Sequence, residues 1–144
     1  MSIAHHKASS AEANPERTGR VASVSAVVIN YQGEAYLEAC LRSIQALEDP
    51  VDEIVVVDND STDGSLNILN THFRSVELLR MRENVGPATA RNVGLRAAKH
   101  RFVLLLDNDV ILAPDTLTKL RAATDARADL VMAQPRAVYK SDPS

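Results

Sequence analysis

From Val24 onward, short runs of β-branched and aliphatic residues alternate with segments whose apolar positions recur at helical spacing. This is the signature of βαβ units and a mainly parallel sheet. The strand-like runs are Val24–Ile29, Glu53–Val57, Val76–Leu79, Phe102–Leu106 and Leu130–Ala133, and their near-continuous apolarity predicts strands covered on both faces. Between the first two, Leu37, Cys40, Leu41, Ile44 and Leu47 predict a crossover helix, with Glu34 at its favourable N-terminal end. A second helix is predicted to begin within Ser61-Thr62-Asp63 and to turn Leu66, Leu69 and Phe73 toward the sheet. A third starts near Pro87 and runs through Ala90, Val93 and Ala97; Lys99, His100 and Arg101 follow, a cationic cluster suited to a helix C-terminus. His100 is therefore read as an end-cap rather than a catalytic base. Pro114 and Asp115 open a fourth helix with Leu117 and Leu120 on one face. Residues 1–20 contain Pro15 and Gly19 and lack any apolar period, which predicts a mobile tail ahead of one α/β domain over 21–144. The adjacent His5 and His6 have no further ligand at a fixed spacing and are read as solvated.

The composition narrows the partners. With 144 residues the chain has room for one core, and 45% hydrophobic against 24% charged residues is ordinary for a folded domain. A formal charge of -3 leaves no basic excess for a nucleic-acid backbone, so a bound phosphate calls for a metal or for backbone amides. The single cysteine, Cys40, falls on the apolar positions of the first helix and is read as a core residue. The longest apolar stretches are strand-sized, against the ~20 residues of a membrane helix. The N-terminus has no apolar stretch of signal-peptide length, so the expected location is the cytoplasm, with a peripheral position at the inner face of the membrane compatible.

In a parallel sheet, ligands bind in the crevice outside the strands' C-terminal ends. The polar residues there are Asn30-Tyr31-Gln32-Gly33, Asp58-Asn59-Asp60, Arg82-Glu83-Asn84 and Asp107-Asn108-Asp109. Asp107 and Asp109 stand two apart beside a buried run, where paired carboxylates repel and desolvate poorly; a hard, oxygen-coordinated cation is one companion, and capping of the next loop is the alternative. The Asp58–Gly64 stretch reads as a turn followed by a helix cap, except that Asp58 follows its strand directly and can accept hydrogen bonds from a nucleobase imide or a ribose hydroxyl. Tyr31 can lay its ring against a base or serve as an amphipathic rim residue.

Taken in order, Val24–Tyr31, Val55–Ser65, Asn84-Val85-Gly86 with Ala90–Gly94, and Leu105–Asp109 resemble successive blocks of family 2 glycosyltransferases. Four blocks in sequence are far more specific than any one. The resemblance runs from about Val24 to the C-terminus. It implies a GT-A (Rossmann-like) fold, a mainly parallel sheet flanked by helices that is incomplete at the C-terminus, with residues 21–144 forming the nucleotide-sugar-binding part. It also implies a nucleoside-diphosphate sugar donor and inverting transfer to an acceptor hydroxyl. Carried over by position, Asn30, Tyr31, Asp58, Asp107 and Asn108 bind the nucleotide sugar, with Asp58 at the base. Asp109, helped by Asp107, holds Mn²⁺ or Mg²⁺. Asn30-Tyr31-Gln32-Gly33 is similar to a variant found in surface-polysaccharide enzymes, a pointer toward rhamnosyl-like or galactofuranosyl-like transfer. Asp60 stands where the family usually has Gly. The family's general base lies downstream of the acidic triplet, so no catalytic base is assigned, and a truncated, non-catalytic nucleotide-sugar-binding module is the alternative. Self-association through uncovered apolar sheet surface is a further expectation. A phosphoryl-accepting receiver domain would need an acidic pair where Asn30-Tyr31 stands, and the five glycines form neither a P-loop nor a dinucleotide fingerprint.

Overall fold

The strand-like runs assemble into one six-stranded sheet in the computed structural model, which describes residues 2–5, 23–126 and 132–135. In chain order the strands are β1 (Ser2–His5), β2 (Val24–Asn30), β3 (Glu53–Asp58), β4 (Glu77–Arg80), β5 (Phe102–Asp107) and β6 (Met132–Ala133). The helices are α1 (Leu37–Gln45), α2 (Ser65–His72), α3 (Gly86–Ala97) and α4 (Thr116–Asp125). The sheet order is β4-β3-β2-β5-β1-β6, and β4, β3, β2 and β5 form a parallel unit. The helices α1, α2 and α3, which join successive strands of this unit, serve as crossovers, the arrangement that parallel pairing requires.

Side-chain alternation splits the core between the two faces of the sheet. Ala26, Val28, Val56, Leu104 and Leu106 pack with Leu37, Leu41 and Ile44 of α1, Leu69 of α2 and Leu117 and Leu120 of α4. Val27, Ile29, Val55, Val57 and Val103 meet α3 through Ala90 on the opposite face. Gly94 lets α3 lie close to the sheet, because a Cβ there would overlap Val27 and crowd Val57. Burying an aliphatic side chain of this size contributes about 1.5–3 kcal/mol, so the two clusters are what fixes the strand ends that carry the polar residues. Cys40 lies wholly inside the first cluster, as its spacing predicts.

Three expectations change. The predicted tail contains β1: Ser2–His5 pairs antiparallel with β5 from Ser2 opposite Leu105 to His5 opposite Phe102, giving the second edge of β5 a hydrogen-bonding partner. Residues 6–20 lie outside the described residues. α2 begins at Ser65 rather than within Ser61–Asp63, because Ser61 is buried in the loop and Asp63 turns its Oδ1 back to the Ser65 N–H at 3.0 Å. The last strand is only Met132–Ala133, with Leu130 and Val131 outside the described residues. No helix among the described residues is long and apolar enough to cross a membrane.

Candidate functional site

Parallel pairing carries the polar strand ends to one rim. Asn30 stands opposite Asp58 at the ends of β2 and β3, and Ile29 stands opposite Asp107 at the end of β5. Alternation then decides which of them face the cleft. Ile29, Tyr31, Asn59, Asp107 and Asp109 share the phase of the residues that face α3, and all five line a cleft of about 350 Å³ completed by Asn84, Pro87, Arg91 and Asn108. Asn30 and Asp58 share the phase of Val28 and Val56, so they turn toward the other, closed face, and both are completely buried.

Neither Asn30 nor Asp58 lines the cleft; they brace it. Asn30 Nδ2 donates to Asp58 Oδ1 at 2.8 Å and to Ser61 Oγ at 3.1 Å, while Asp58 Oδ2 accepts the Ser61 N–H at 3.1 Å. The residue that reaches the cleft just past β3 is Asn59, which the sequence pattern marks only as part of a turn. Its Oδ1 accepts the Val85 N–H at 3.0 Å and its Nδ2 donates to Asn84 Oδ1 at 2.9 Å, tying the start of α3 to the end of β3. Asn84 Oδ1 also accepts the Gly86 N–H at 2.9 Å, and Gly86 holds φ +79°, a left-handed turn that glycine adopts without strain. The N-terminal end of α3 is thereby fixed beside the cleft, where its dipole favours an anion.

Arg91, quoted in the motif but assigned no role, is the principal cation of the site. Its guanidinium holds both oxygens of Asp107, at 2.7 and 2.9 Å, in a pair that stays more than a third exposed. Asp109 is exposed and forms no hydrogen bond or ion pair with any described residue. Tyr31 is 49% exposed at the mouth of the cleft, free to offer its ring. Asn108 Nδ2 points inward to Asn30 Oδ1 at 2.9 Å and to the Tyr31 carbonyl at 3.4 Å. Beneath the acidic loop, the Cys40 thiol donates to the Asp107 carbonyl at 3.7 Å, and Ser43 Oγ accepts the Leu112 N–H at 3.1 Å, so α1 supports the loop from below. Burial, followed by the charges of Asp109 and Asp107, pushes the Cys40 thiol up to about 12, so it stays protonated and inert. Asp60 and Gln32 both adopt left-handed backbone, at φ 67° and 50°, in the loops just past the buried pair.

The described residues hold no group of three or more His, Cys, Asp or Glu fit to cage a metal. Two carboxylates at the mouth of an open cleft instead suit a hard cation that completes its shell with substrate phosphates and water. Asp109, free of partners among the described residues, fits that role better than Asp107, which is neutralised by Arg91.

Comparison with known proteins agrees with this geometry. A family model described as glycosyl transferase family 2 matches residues 25–143. The chain is 32% identical over 114 residues to a succinoglycan biosynthesis protein, ExoO, of Rhizobium meliloti, covering 78% of this chain and 33% of that protein. It is 34% identical over 106 residues to the poly(ribitol-phosphate) beta-N-acetylglucosaminyltransferase TarS of Staphylococcus aureus, covering 70% of this chain and 18% of TarS. Among solved structures, the S. aureus TarS 1–349 complex with UDP-GlcNAc superposes with a TM-score of 0.66 at 31% identity, over 74% of this chain and 32% of that one. The mannosyltransferase PcManGT from Pyrobaculum calidifontis, in complex with GDP-Man and Mn²⁺, does so with a TM-score of 0.60 at 34% identity, over 67% of this chain and 30% of that one. The chain thus spans a third or less of the length of these proteins, and the four-stranded parallel unit with its helices is the GT-A arrangement. By its family match, its fold and the polar rim of its sheet, the chain belongs to glycosyl transferase family 2.

Proposed function

We propose that the cleft binds a nucleoside-diphosphate sugar together with a divalent cation, as the donor site of an inverting glycosyltransferase that builds cell-surface polysaccharide or another glycan. The observation that carries this reading is the carboxylate of Asp109, without a partner among the described residues, beside the Arg91–Asp107 pair at the C-terminal edge of a parallel sheet. The solved relatives carry UDP-GlcNAc in one case and GDP-Man with Mn²⁺ in another, which supports the donor class and the cation.

Each lining residue has a chemical role in this reading. Tyr31 offers its exposed ring to the base, and Asn59 and Asn84 shape the nucleoside end. Arg91 and the N-terminal end of α3 attract the diphosphate. Asp109 holds the cation, and Asp107 keeps the Arg91 guanidinium in the cleft. Once bound, Mn²⁺ or Mg²⁺ supplies Lewis-acid stabilisation of the charge that develops on the departing diphosphate. Inversion also needs a base on the opposite face of the sugar, and none of the cleft residues is assigned to it. Because the chain spans a third or less of these relatives, a nucleotide-sugar-binding module without turnover is the second reading.

Turnover of UDP-GlcNAc and GDP-Man with Mn²⁺ and a panel of acceptor hydroxyls, followed through release of UDP or GDP, separates the two readings. Acceptor-dependent release supports the transferase. Tight, Mn²⁺-dependent binding with background release supports the module. Absence of any Mn²⁺-dependent binding to UDP, GDP or dTDP contradicts both.

A further inference from the structure

Asp58, Asn30 and Asn108 form an unbroken row of side chains across three adjacent strands. Asp58 ends β3, Asn30 ends β2, and Asn108 stands one residue beyond the pairing of Ile29 with Asp107 on β5. The amide of Asn30 is the link: its Nδ2 donates to Asp58 Oδ1 and its Oδ1 accepts from Asn108 Nδ2, at 2.8 and 2.9 Å. Its main chain joins in, since the Asn30 carbonyl accepts the Asn59 N–H at 2.8 Å. Only one orientation of this amide is compatible with its surroundings, because a flip would turn Oδ1 onto the Asp58 carboxylate and face Nδ2 toward another amide donor. Gly33 closes the site from above: a Cβ there would overlap Asn30 Oδ1 and Asn108 Nδ2.

We infer that Asn30 is a positioning residue that couples the nucleoside end of the cleft, at Asn59 and Tyr31, to the cation end, at Asp107 and Asp109. The inference rests on the donor-site reading above. Asn59 is tied to Asn30 through its N–H, and Tyr31 follows Asn30 directly and receives Asn108 Nδ2 on its carbonyl at 3.4 Å. Asn108 sits between the two acids. A base that orders Asn59 and Tyr31 therefore also orders the loop that carries Asp109, through a buried amide that has one satisfied arrangement. Couplings of this kind amount to roughly five- to 150-fold in affinity.

Protein-bound Mn²⁺ is measured by equilibrium dialysis against the same ligand, so that complexes of the ion with free ligand stand equally on both sides, in the presence of saturating UDP, GDP or dTDP and again with saturating inorganic pyrophosphate. The ratio of the two is the contribution of the nucleoside to metal binding. In the parent chain the favoured nucleotide is expected to give a ratio of about fivefold or more. Asn30→Ala, Gly33→Ala and Asn108→Ala should each bring that ratio close to one, and Gly33→Ala and Asn108→Ala serve if Asn30→Ala does not fold. A merely structural role for Asn30 would weaken Mn²⁺ equally with nucleotide and with pyrophosphate, leaving the ratio at its parental value, and that result overturns the inference while the donor site stands. A parent chain that shows no ratio above one for any nucleotide also overturns it. Failure of the parent to bind Mn²⁺ with either kind of diphosphate overturns the donor-site reading itself, and the inference with it.

Discussion

At the N-terminal rim of the sheet, Glu53 accepts Ser25 Oγ at 2.7 Å and Lys99 Nζ at 2.8 Å, Lys99 continues to Glu77 at 2.6 Å, and Asp52 receives the Val24 N–H at 2.7 Å. At the C-terminal rim, Arg91 and Asp107 pair in the open and Asp109 has no partner among the described residues. Both rims are rich in charge, yet one is closed upon itself and the other is left incomplete. Burial alone would raise the Glu53 carboxyl, but the hydrogen bonds from Lys99 and Ser25 outweigh it and hold Glu53 below the usual carboxylate range. The same bonds from Glu53 and Glu77 raise Lys99. A charge whose partners are all supplied by the fold stabilises the fold. A carboxylate left free beside a cleft is available to a ligand.

The sharpest test of this division lies within the C-terminal rim, where Asp58 behaves like the residues of the closed rim. Asp58→Ala orphans the Ser61 N–H and weakens the hold on Asn30, and leaving buried donors unsatisfied costs about 1–3 kcal/mol each. The expected loss is roughly 3 kcal/mol of unfolding free energy by urea denaturation. An unchanged midpoint would return Asp58 to the ligand side of the comparison. Arg91→Ala should do the reverse, leaving the urea midpoint nearly as in the parent because the pair is exposed. Nucleoside-diphosphate affinity in calorimetry should fall roughly tenfold to a hundredfold, the worth of a charge-assisted hydrogen bond. A loss of stability without a loss of affinity would place Arg91 with the structural residues.

The smallest expected effect is at the closed rim. Glu53 has a folded-state value below its unfolded one, so its stabilisation is fully present above the ordinary glutamate range near ~4.3 and is lost as pH falls through the lower folded value. Glu53→Gln should therefore cost about 1 kcal/mol at pH 7, with the two stability curves converging as the solution is acidified below pH ~4. Nucleotide affinity should not change. Curves that stay parallel down to low pH would mean that the Glu53 charge contributes nothing.

Strand positions, the crossover helices and the acidic triplet were legible in the sequence because each rests on a local pattern: apolar runs, helical spacing, and acids placed directly after a strand. That Asp58 and Asn30 lie behind the cleft rather than on its lining is also written in the sequence. Val28 and Asn30, like Val56 and Asp58, share a side-chain phase that the helices α1 and α2 close off, whereas Val57 and Asn59 share the phase that opens into the cleft. Proximity to the strand end marks these residues as rim positions, and only the alternation carried past the strand end tells the two faces apart. Arg91 was hidden differently, since its pairing with Asp107 depends on α3 packing across β2 and β3 so that one long side chain reaches the end of β5, a contact between residues 16 apart that no spacing rule encodes. The cluster Lys99-His100-Arg101 suits the end of α3 by its charge, but that Lys99 reaches Glu53 and Glu77 depends on the pairing of β3 with β4, which the sequence does not encode locally. The strand Ser2–His5 was missed because four residues carry too little pattern to stand out from a polar segment.

The central claim is that the free carboxylate of Asp109, and not charge at the rim in general, makes this a metal-dependent nucleotide site. It is tested most directly by titrating UDP, GDP and dTDP calorimetrically into the parent chain, Asp109→Asn, Asp107→Asn and Glu53→Gln, each with Mn²⁺ and with a chelator. The account predicts that Mn²⁺ strengthens binding to the parent and to Glu53→Gln alike, that the gain largely disappears in Asp109→Asn, and that Asp107→Asn weakens it less. An equal Mn²⁺ gain in Asp109→Asn and the parent would contradict it.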